Sequence, residues 1–220
     1  MQKYKIVEIF DSIQGEGPYL GERQIFIRLG ECNLSCVYCD TDFKRYVLMT
    51  AKEIFDQVNE KTIVFTGGEP LLQSGLIKEI RKLEHFVLKK NRIMLETNAT
   101  LSSQLAEVID YVDVFSCDYK LRKYANIDQK EHQQFFAKLE AKNKNFYVKI
   151  ITDDDISLEE FKEEIKYLQV NKNTKIILQP IFKESLQYSA QFIKYHQILL
   201  NKGFEKVFFI PQVHKFLGVN

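Results

Sequence analysis

The chain has 220 residues, of which 31 are basic, 30 are acidic and 45% are hydrophobic. This length suits one domain with a substantial core, and the balanced charge gives no overall field that would favour nucleic acid or a membrane surface. No apolar run approaches the ~20 residues of a membrane span, and the N-terminal segment lacks the apolar stretch of a signal peptide. We therefore expect a single domain over residues 1–220, in a cytoplasmic protein without nucleic-acid or membrane partners.

Apolar segments of strand length alternate with segments of helical periodicity, which is typical of parallel β/α units. Strands are predicted at Lys5–Phe10, Ile25–Leu29, Thr62–Thr66, Arg92–Glu96, Val112–Cys117, Phe146–Ile151, Lys175–Gln179 and Lys206–Ile210. Helices are predicted at Thr50–Asn59, Gln73–Lys89, Ser102–Ile109, Gln129–Lys142, Leu158–Gln169 and Ser185–Asn201, with N-caps at Thr50, Ser102 and Ser157 and a terminating Gly203. The sequence predicts an α/β fold with mostly parallel strands.

A long irregular segment follows the strand that ends at Leu29, and it carries Cys32, Cys36 and Cys39 in the spacing CxxxCxxC. Functional loops of parallel β/α folds follow the C-terminal ends of strands, so this placement suits a site. Three thiolates so close together can converge on one soft metal centre, whereas a zinc site or an ordinary ferredoxin cluster takes four protein ligands. The fourth cysteine, Cys117, lies far along the chain. Three cysteines on a four-iron cluster would leave one iron open to a small molecule.

A second motif, Thr66-Gly67-Gly68-Glu69-Pro70, directly follows an apolar strand. Two glycines at a strand end let the backbone approach a ligand closely or take positive φ. Glu69 could accept hydrogen bonds from an amine, although a Gly-Gly pair alone is also compatible with a simple βα turn.

Taken together, the cysteine spacing, the aromatic Tyr38 before the last cysteine and the Gly-Gly-Glu-Pro segment resemble the radical S-adenosylmethionine (SAM) superfamily. The resemblance implies a 4Fe–4S cluster on Cys32, Cys36 and Cys39, with the amino and carboxylate groups of SAM on the fourth iron. It also implies reductive cleavage of the sulfonium to methionine and a 5′-deoxyadenosyl radical that abstracts hydrogen from the substrate.

Further segments resemble one family of this superfamily, the 7-carboxy-7-deazaguanine synthases of the queuosine and 7-deazapurine pathway. They are Phe10–Gly17, Phe26–Leu29, Asp40-Thr41, Glu96–Asn98 and Pro211–Lys215, and together they cover the chain from end to end. The resemblance implies ring contraction of 6-carboxy-5,6,7,8-tetrahydropterin to 7-carboxy-7-deazaguanine with loss of ammonia. It further implies a Mg²⁺ requirement, a homodimer, an abridged (partial) radical SAM β/α barrel, and a flavodoxin-type or similar electron donor.

The same resemblance assigns the site residues. Those implied for SAM are Tyr38, Cys39, Asp40, Gly67, Gly68, Glu69, Ser116, Cys117, Asp118, Gln179 and Pro180. Those implied for the substrate are Gln14, Gly15, Glu16, Arg28, Thr66, His214 and Asn220, and Thr41 is implied as the Mg²⁺ ligand.

The chemistry of the pterin agrees with these residues. Its amide and guanidine-like edge suits paired hydrogen bonds from Glu16 and Gln14, and its carboxylate suits the bidentate fork of Arg28. Alternatively, Gln14 and Glu16 could only shape a glycine-rich turn, and Arg28 could be a solvated strand residue. Thr41 offers a single neutral oxygen, so Mg²⁺ should bind appreciably only together with the substrate.

The chain departs from the family pattern at Glu31 and Ala99, where the family has glycine, and at Cys117, where proline is common. Two other functions stay open at this stage. An activase of a glycyl-radical enzyme shares the cysteine spacing and the glycine-rich strand end, and a zinc-binding interaction module would use the cysteines differently. His132 lies in a charged helical segment and is predicted to be solvated.

Overall fold

The computed structural model of the protein describes residues 2–39, 41–83, 86, 90–182 and 190–219. The strands are β1 (Tyr4–Ile13), β2 (Arg23–Leu29), β3 (Val47–Met49), β4 (Thr62–Gly67), β5 (Arg92–Thr97), β6 (Val114–Tyr119), β7 (Phe146–Thr152), β8 (Lys175–Pro180) and β9 (Lys206–Phe209). The α-helices are α1 (Ala51–Phe55), α2 (Ser74–Lys82), α3 (Ser102–Val108), α4 (Gln129–Ala141), α5 (Leu158–Ile165), α6 (Gln191–Asn201) and α7 (Val213–Leu217), and Gly17–Tyr19 and Pro70–Gln73 form 3₁₀ turns.

The strands form one sheet in the order β3-β1-β2-β4-β5-β6-β7-β8-β9. From β2 to β9 every neighbouring pair is parallel, whereas β1 pairs antiparallel with both β2 and β3. The predicted α/β class with mostly parallel strands is confirmed. The short strand β3 and the antiparallel direction of β1 were not predicted, because both depend on pairing partners rather than on local hydrophobic periodicity.

The two faces of the sheet differ in what covers them. One face packs against the helices in the main core, to which Ile27, Phe65, Leu95 and Phe115 belong. Alternate residues on the other face form a smaller cluster made by strand side chains, which are Phe26, Val64, Met94, Val114, Tyr147 and Ile177. Because side chains alternate along a strand, the next positions toward the C-terminal ends lie on this second face above that cluster. The site is built there.

Local capping explains several helix boundaries. Thr50 and Ser157 each form a capping box with the glutamate three residues later, as predicted. The prediction for Ser102 is wrong, because Leu101 precedes the helix and Ser102 is its first residue, without a side-chain cap. Gly203 takes a φ of 100° after α6, as expected for a terminating glycine.

Four predicted helices differ from the observed elements. The predicted Thr50–Asn59 and Leu158–Gln169 helices are shorter, since α1 ends at Phe55 and α5 at Ile165. The segment predicted as Gln73–Lys89 begins as the 3₁₀ turn Pro70–Gln73 and continues as α2 to Lys82, while residues 84, 85 and 87–89 lie outside the described part. The predicted Ser185–Asn201 helix is observed from Gln191, and residues 183–189 lie outside the described part.

Candidate active site

A cavity of about 470 Å³ opens at the C-terminal ends of the parallel strands, within the size range of small-molecule sites. It brings together most of the residues that the sequence singled out. The predicted residues that line it are Gln14, Gly15, Glu16, Arg28, Cys32, Cys36, Tyr38, Cys39, Thr41, Thr66, Gly67, Gly68, Asp118 and His214. The segment that carries Cys32, Cys36 and Cys39, called the cysteine loop below, lies far along the chain from some of the residues predicted to bind the substrate. Both sets nevertheless line one cavity.

Other predicted residues are not part of the cavity wall. Glu69, Ser116, Cys117, Gln179 and Pro180 are buried behind it. Asp40 and Asn220 lie outside the described residues, so their predicted roles stay predictions.

The cysteine loop is held mainly by backbone hydrogen bonds to its neighbours. Gly30 N donates to Lys5 O at 2.9 Å, and Val37 N donates to Tyr124 O at 3.0 Å. A further hydrogen bond joins the end of β2, where the loop begins, to the glycine pair, since Gly68 N donates to Leu29 O at 3.1 Å. Backbone pairing of this kind fixes the loop while leaving its side chains available for a ligand.

The three thiols border the cavity, with Cys32 and Cys36 half-buried and Cys39 exposed. Burial raises the pKa of both Cys32 and Cys36, so the metal-free thiols stay protonated at neutral pH. Among the described residues, no group of three or more His, Cys, Asp or Glu side chains is arranged to hold a metal ion. Three thiols are one fewer than the four protein ligands of a structural zinc site, whereas a 4Fe–4S cluster can leave one iron open to a small molecule.

The glycine pair is required by close packing against the start of the cysteine loop. Gly67 takes a φ of 123°, and a Cβ on Gly68 would lie 1.7 Å from Glu31 O. Glu69 N donates to that same oxygen at 2.8 Å. The Gly-Gly pair is thus where the end of β4 and the cysteine loop meet, in agreement with the sequence argument for close backbone approach.

Glu69 is fully buried, and its carboxylate organises the loop after β5. It accepts hydrogen bonds from Leu71 N at 3.0 Å, Thr97 Oγ1 at 2.8 Å and Asn98 N at 2.8 Å. Burial outweighs these bonds and raises the pKa of Glu69 to about 7. The predicted contact of Glu69 with an amine stays a prediction, and the carboxylate's visible role is to position Asn98.

Asn98 in turn ties that loop to the first cysteine. Its side-chain amide donates to Asn33 Oδ1 at 2.8 Å and lies 4.0 Å from Cys32 Sγ. Asn33 also donates to Thr100 Oγ1 at 2.9 Å. The Glu-Thr-Asn segment after β5 therefore supports the Cys32 side of the loop.

Two departures from the family pattern occupy left-handed backbone. Glu31 has a φ of 71° and Ala99 a φ of 56°, the region that glycine adopts without strain. Both positions keep the conformation that explains the family's glycine. Ala99 O contacts His132 Nδ1 at 3.1 Å, and His132 Nε2 accepts from Lys120 N at 3.0 Å. His132 is fully buried, so the prediction that it is solvated is wrong, and burial lowers its pKa to about 3.

Opposite the cysteine loop, the Gln14–Glu16 segment is fixed by side-chain hydrogen bonds. Gln14 Nε2 donates to Glu96 Oε1 at 3.1 Å, and Glu16 N donates to Gln14 Oε1 at 3.0 Å. Burial raises the pKa of Glu96. Glu96 also lines the cavity, although it was not singled out as a site residue.

The C-terminal segment packs against the Gln14–Glu16 segment. Gln212 Nε2 donates to Glu16 Oε1 at 2.8 Å, and Val213 N donates to Gly15 O at 3.0 Å. The His214 ring packs so closely on Gly15 that a Cβ there would lie 2.1 Å from Nδ1. The predicted grouping of His214 with the Gln14–Glu16 segment is therefore present in the structure.

A line of buried charges, which the sequence analysis missed, crosses the cavity floor. Lys120 Nζ donates to Asp118 Oδ2 at 2.9 Å and to Tyr38 OH at 3.2 Å. Lys149 Nζ lies 3.1 Å from Asp118 Oδ1 and donates to Glu16 Oε2. Lys149 interrupts the otherwise apolar core of β7, a signal that could have identified it.

The two lysines hold their carboxylates ionised. Burial would raise the pKa of Asp118, but the charges of Lys120 and Lys149 hold it below its ordinary value. For Glu16 the same opposition holds, with Lys149 and Gln212 lowering the pKa.

Arg28 lies on β2, one residue before the strand ends and the cysteine loop begins. Its Nε donates to Glu8 Oε1 at 2.7 Å, its Nη1 lies 3.4 Å from Thr41 Oγ1, and its guanidinium lies 5.3 Å from the centre of the Phe10 ring. An arginine fixed in this way is a positioned cation on the cavity wall rather than a solvated strand residue.

Gln179 is fully buried, and neither of its side-chain amide atoms has a hydrogen-bond partner among the described residues. Ser116 is also buried, and its hydroxyl interacts with that of Tyr147. Buried polar groups are nearly always paired, so the amide atoms of Gln179 are expected to meet a ligand or ordered water. Ser116 and Gln179 are two of the residues predicted for SAM. The side chain of Cys117 instead belongs to the main core.

Comparisons with known proteins agree with this geometry. The Radical SAM superfamily matches residues 27–121. A 7-carboxy-7-deazaguanine synthase of Archaeoglobus fulgidus is 30% identical, over 97% of this chain and 98% of its own length. One of Methanocaldococcus jannaschii is 32% identical, over 97% of this chain and 99% of its own length.

Among solved structures, QueE from Escherichia coli shares the fold, with a TM-score of 0.63 at 18% identity, covering 96% of this chain and 95% of that one. This likeness confirms the predicted fold of the radical SAM type. Together with two relatives aligned from end to end, it leads to one conclusion: the chain belongs to the 7-carboxy-7-deazaguanine synthase family of radical SAM enzymes.

Proposed function

We propose that this protein converts 6-carboxy-5,6,7,8-tetrahydropterin to 7-carboxy-7-deazaguanine with release of ammonia, as a radical SAM lyase. The observation that carries the proposal is the shared cavity, in which three thiols face the buried Gln14–Glu16 segment and Arg28. A glycyl-radical activase acts on a protein. A protein substrate would not need a cavity lined by side chains suited to a pterin.

The cofactors are proposed from the superfamily and from the three thiols that border the cavity. Cys32, Cys36 and Cys39 would hold a 4Fe–4S cluster, since thiolates are the ligands of such clusters. When bound, the reduced cluster and SAM together supply a carbon radical that removes hydrogen from the substrate. The protein's own part is to bind and orient both molecules and to keep the site enclosed.

The cofactor side would extend from the cysteine loop across the cavity floor. Gly67 and Gly68 present backbone for the methionyl group, with Glu69 behind them. Tyr38 and Asp118 are held by Lys120 on the adenosyl side. Gln179 would offer its unpaired amide atoms there, and Ser116, Cys117 and Pro180 are the further residues proposed for SAM.

The substrate side would be the opposite wall. Glu16 and Gln14 accept and donate hydrogen bonds toward the guanidine-like edge of the pterin, and Arg28 binds its carboxylate. Thr66 and Gly15 border the same space, and His214 covers it from the C-terminal segment.

The proposal includes a Mg²⁺ ion, with Thr41 as one of its ligands. The Thr41 hydroxyl borders the cavity 3.4 Å from Arg28 Nη1, beside the position proposed for the substrate carboxylate. A hard cation takes oxygen ligands, so Thr41 fits as one of them. A single neutral oxygen is too weak a site alone, and the ion is expected to bind with the substrate.

Further parts of the proposal concern partners and location. We propose a homodimer, a flavodoxin-type or similar electron donor, and a cytoplasmic protein. Exposed apolar side chains on β3 and β9, among them Leu48 and Phe208, offer surfaces for protein contacts. Within the described residues, no helix is long and apolar enough to cross a membrane.

The test is an anaerobic reaction of the reduced protein with SAM, Mg²⁺ and carboxytetrahydropterin. We expect a deazapurine product, ammonia and four irons per chain. A matched reaction without the pterin controls for uncoupled SAM cleavage. Cleavage of SAM without deazapurine or ammonia would contradict the proposed reaction while leaving the superfamily assignment intact.

A further inference from the structure

Lys149 is a buried cation with a specific set of partners. Its side chain is 4% exposed, on strand β7 among apolar neighbours. It contacts Glu16 Oε2 on one side and lies 3.1 Å from Asp118 Oδ1 on the other. Because a buried ammonium group is costly unless carboxylates neutralise it, these contacts fix the position of Nζ.

Glu16 keeps acceptor capacity after these contacts. Lys149 uses one lone pair on Oε2 and Gln212 uses one on Oε1, and each carboxylate oxygen has two. Counting the contacts of the described residues, one acceptor position therefore remains on each oxygen. Two parallel N–H donors, as on the guanidine-like edge of a pterin, match that arrangement.

Other titratable groups interact with Lys149 from several strands. Asp118 reaches it from β6 and Glu96 lies across the cavity floor on β5, while Tyr147 shares β7. Burial lowers the pKa of Lys149, but these groups together with Glu16 raise it well above its ordinary value. Lys149 thus stays charged.

We propose that Lys149 is a positioning residue for substrate recognition, which aims the Glu16 carboxylate into the cavity so that it receives the paired N–H donors of the pterin. The proposal rests on the proposed function for the identity of that ligand. Lys149 acts through Glu16, so it need not touch the substrate itself.

A double-mutant cycle tests this directly. The holoenzyme with SAM is prepared anaerobically as wild type, Lys149→Met, Glu16→Gln and the double variant, and Kd and KM for carboxytetrahydropterin are measured. We expect Lys149→Met to raise both constants about tenfold or more, since it removes one partner of a buried pair. Added to Glu16→Gln, it should raise them by less than about twofold, because both changes remove the same interaction.

Two further variants keep the test interpretable if Lys149→Met folds poorly. Lys149→Arg retains the charge and should keep the pterin KM within about threefold of wild type. Lys120→Met removes the other buried lysine, which contacts Asp118 and Tyr38 but not Glu16, so it should raise KM for SAM more than KM for the pterin.

The outcomes separate the two hypotheses. If the fold-changes in pterin Kd from Lys149→Met and Glu16→Gln multiply in the double variant, the positioning role is overturned. An unchanged Kd in Lys149→Met would also overturn it. If the wild type binds the pterin but forms no deazapurine, the proposed reaction fails and the binding cycle still decides the role of Lys149. Absence of pterin binding in the wild type would overturn both.

Discussion

The two sides of the cavity differ in how the side chains that face the ligand are held. The cysteine loop is positioned by backbone hydrogen bonds, such as that from Glu69 N to Glu31 O, and by the contact of Asn98 with Asn33, while its thiols are half-buried or exposed. On the opposite wall, the Glu16 carboxylate itself is held by Lys149 and Gln212. The contrast follows from what each side binds: a cluster needs free thiols on a fixed backbone, whereas a polar substrate needs preoriented side chains.

This comparison can be tested first at the thiols. Cys36→Ala should reduce SAM cleavage to background while the protein stays folded, because backbone pairing holds the loop. Iron and sulfide content, 5′-deoxyadenosine formation and thermal unfolding are the measurements.

The matched control is Cys117→Ala, which removes a thiol of the main core. It should keep four irons per chain and lower the free energy of unfolding by about 1 kcal/mol. Wild-type-like cleavage in Cys36→Ala would show that this thiol is not a cluster ligand.

The backbone support of the loop can be broken at Gly68. Its Cβ would lie 1.7 Å from Glu31 O, so Gly68→Ala should lower the free energy of unfolding by more than about 2 kcal/mol and impair cluster assembly. Gly21→Ala is the control, because its added Cβ meets no atom within 4 Å and its cost comes only from the φ of 86° at that position. That change should cost only about 1 kcal/mol. Equal losses in the two variants would contradict the close-packing argument.

A pH-dependent effect is expected from the buried carboxylate behind the loop. Burial raises the pKa of Glu69 from an ordinary 4.5 to about 7, so between these pH values the folded state binds more protons than the unfolded state. Stability from this group is therefore greatest at the acidic end and is lost as pH rises through 7, by about 3 kcal/mol.

Chemical unfolding of cluster-free wild type and Glu69→Gln at pH 4.5–7.5 measures this effect. The difference in unfolding free energy between the two proteins should change with pH in that window and level off above it. A constant difference would mean that Glu69 titrates normally in the folded protein.

The smallest expected effect is at Ala99. Ala99→Gly relieves a φ of 56° but loses a buried methyl group, two changes of about 1 kcal/mol that oppose each other. The free energy of unfolding should therefore stay within about 0.5 kcal/mol. Ala137→Gly, the same change on an exposed position of α4, should lower it by about 1 kcal/mol. A similar loss at both positions would argue against relief of strain at Ala99.

Much of the site could be predicted because its residues form local motifs. The CxxxCxxC loop and the Gly-Gly pair each follow a parallel strand, and parallel strands bring such segments to one edge. The Gln14–Glu16 segment follows the antiparallel strand β1, and only the family resemblance implied its place in the site. Lys149, in the middle of β7, and Lys120, just after β6, were missed because lysine side chains are usually solvent-exposed. Only the partners supplied by Glu16 and Asp118 make their burial favourable.

The sequence by itself determined the alternation of strands and helices, the chemistry of the thiol trio and the polar segments around it, since these depend on local spacing and residue type. Tertiary structure alone decided that β1 runs antiparallel, that Glu69 and Cys117 turn away from the cavity, and that buried lysines fix the carboxylates. These features depend on which distant strands become neighbours and which face of the sheet a side chain meets, and local spacing does not contain that information.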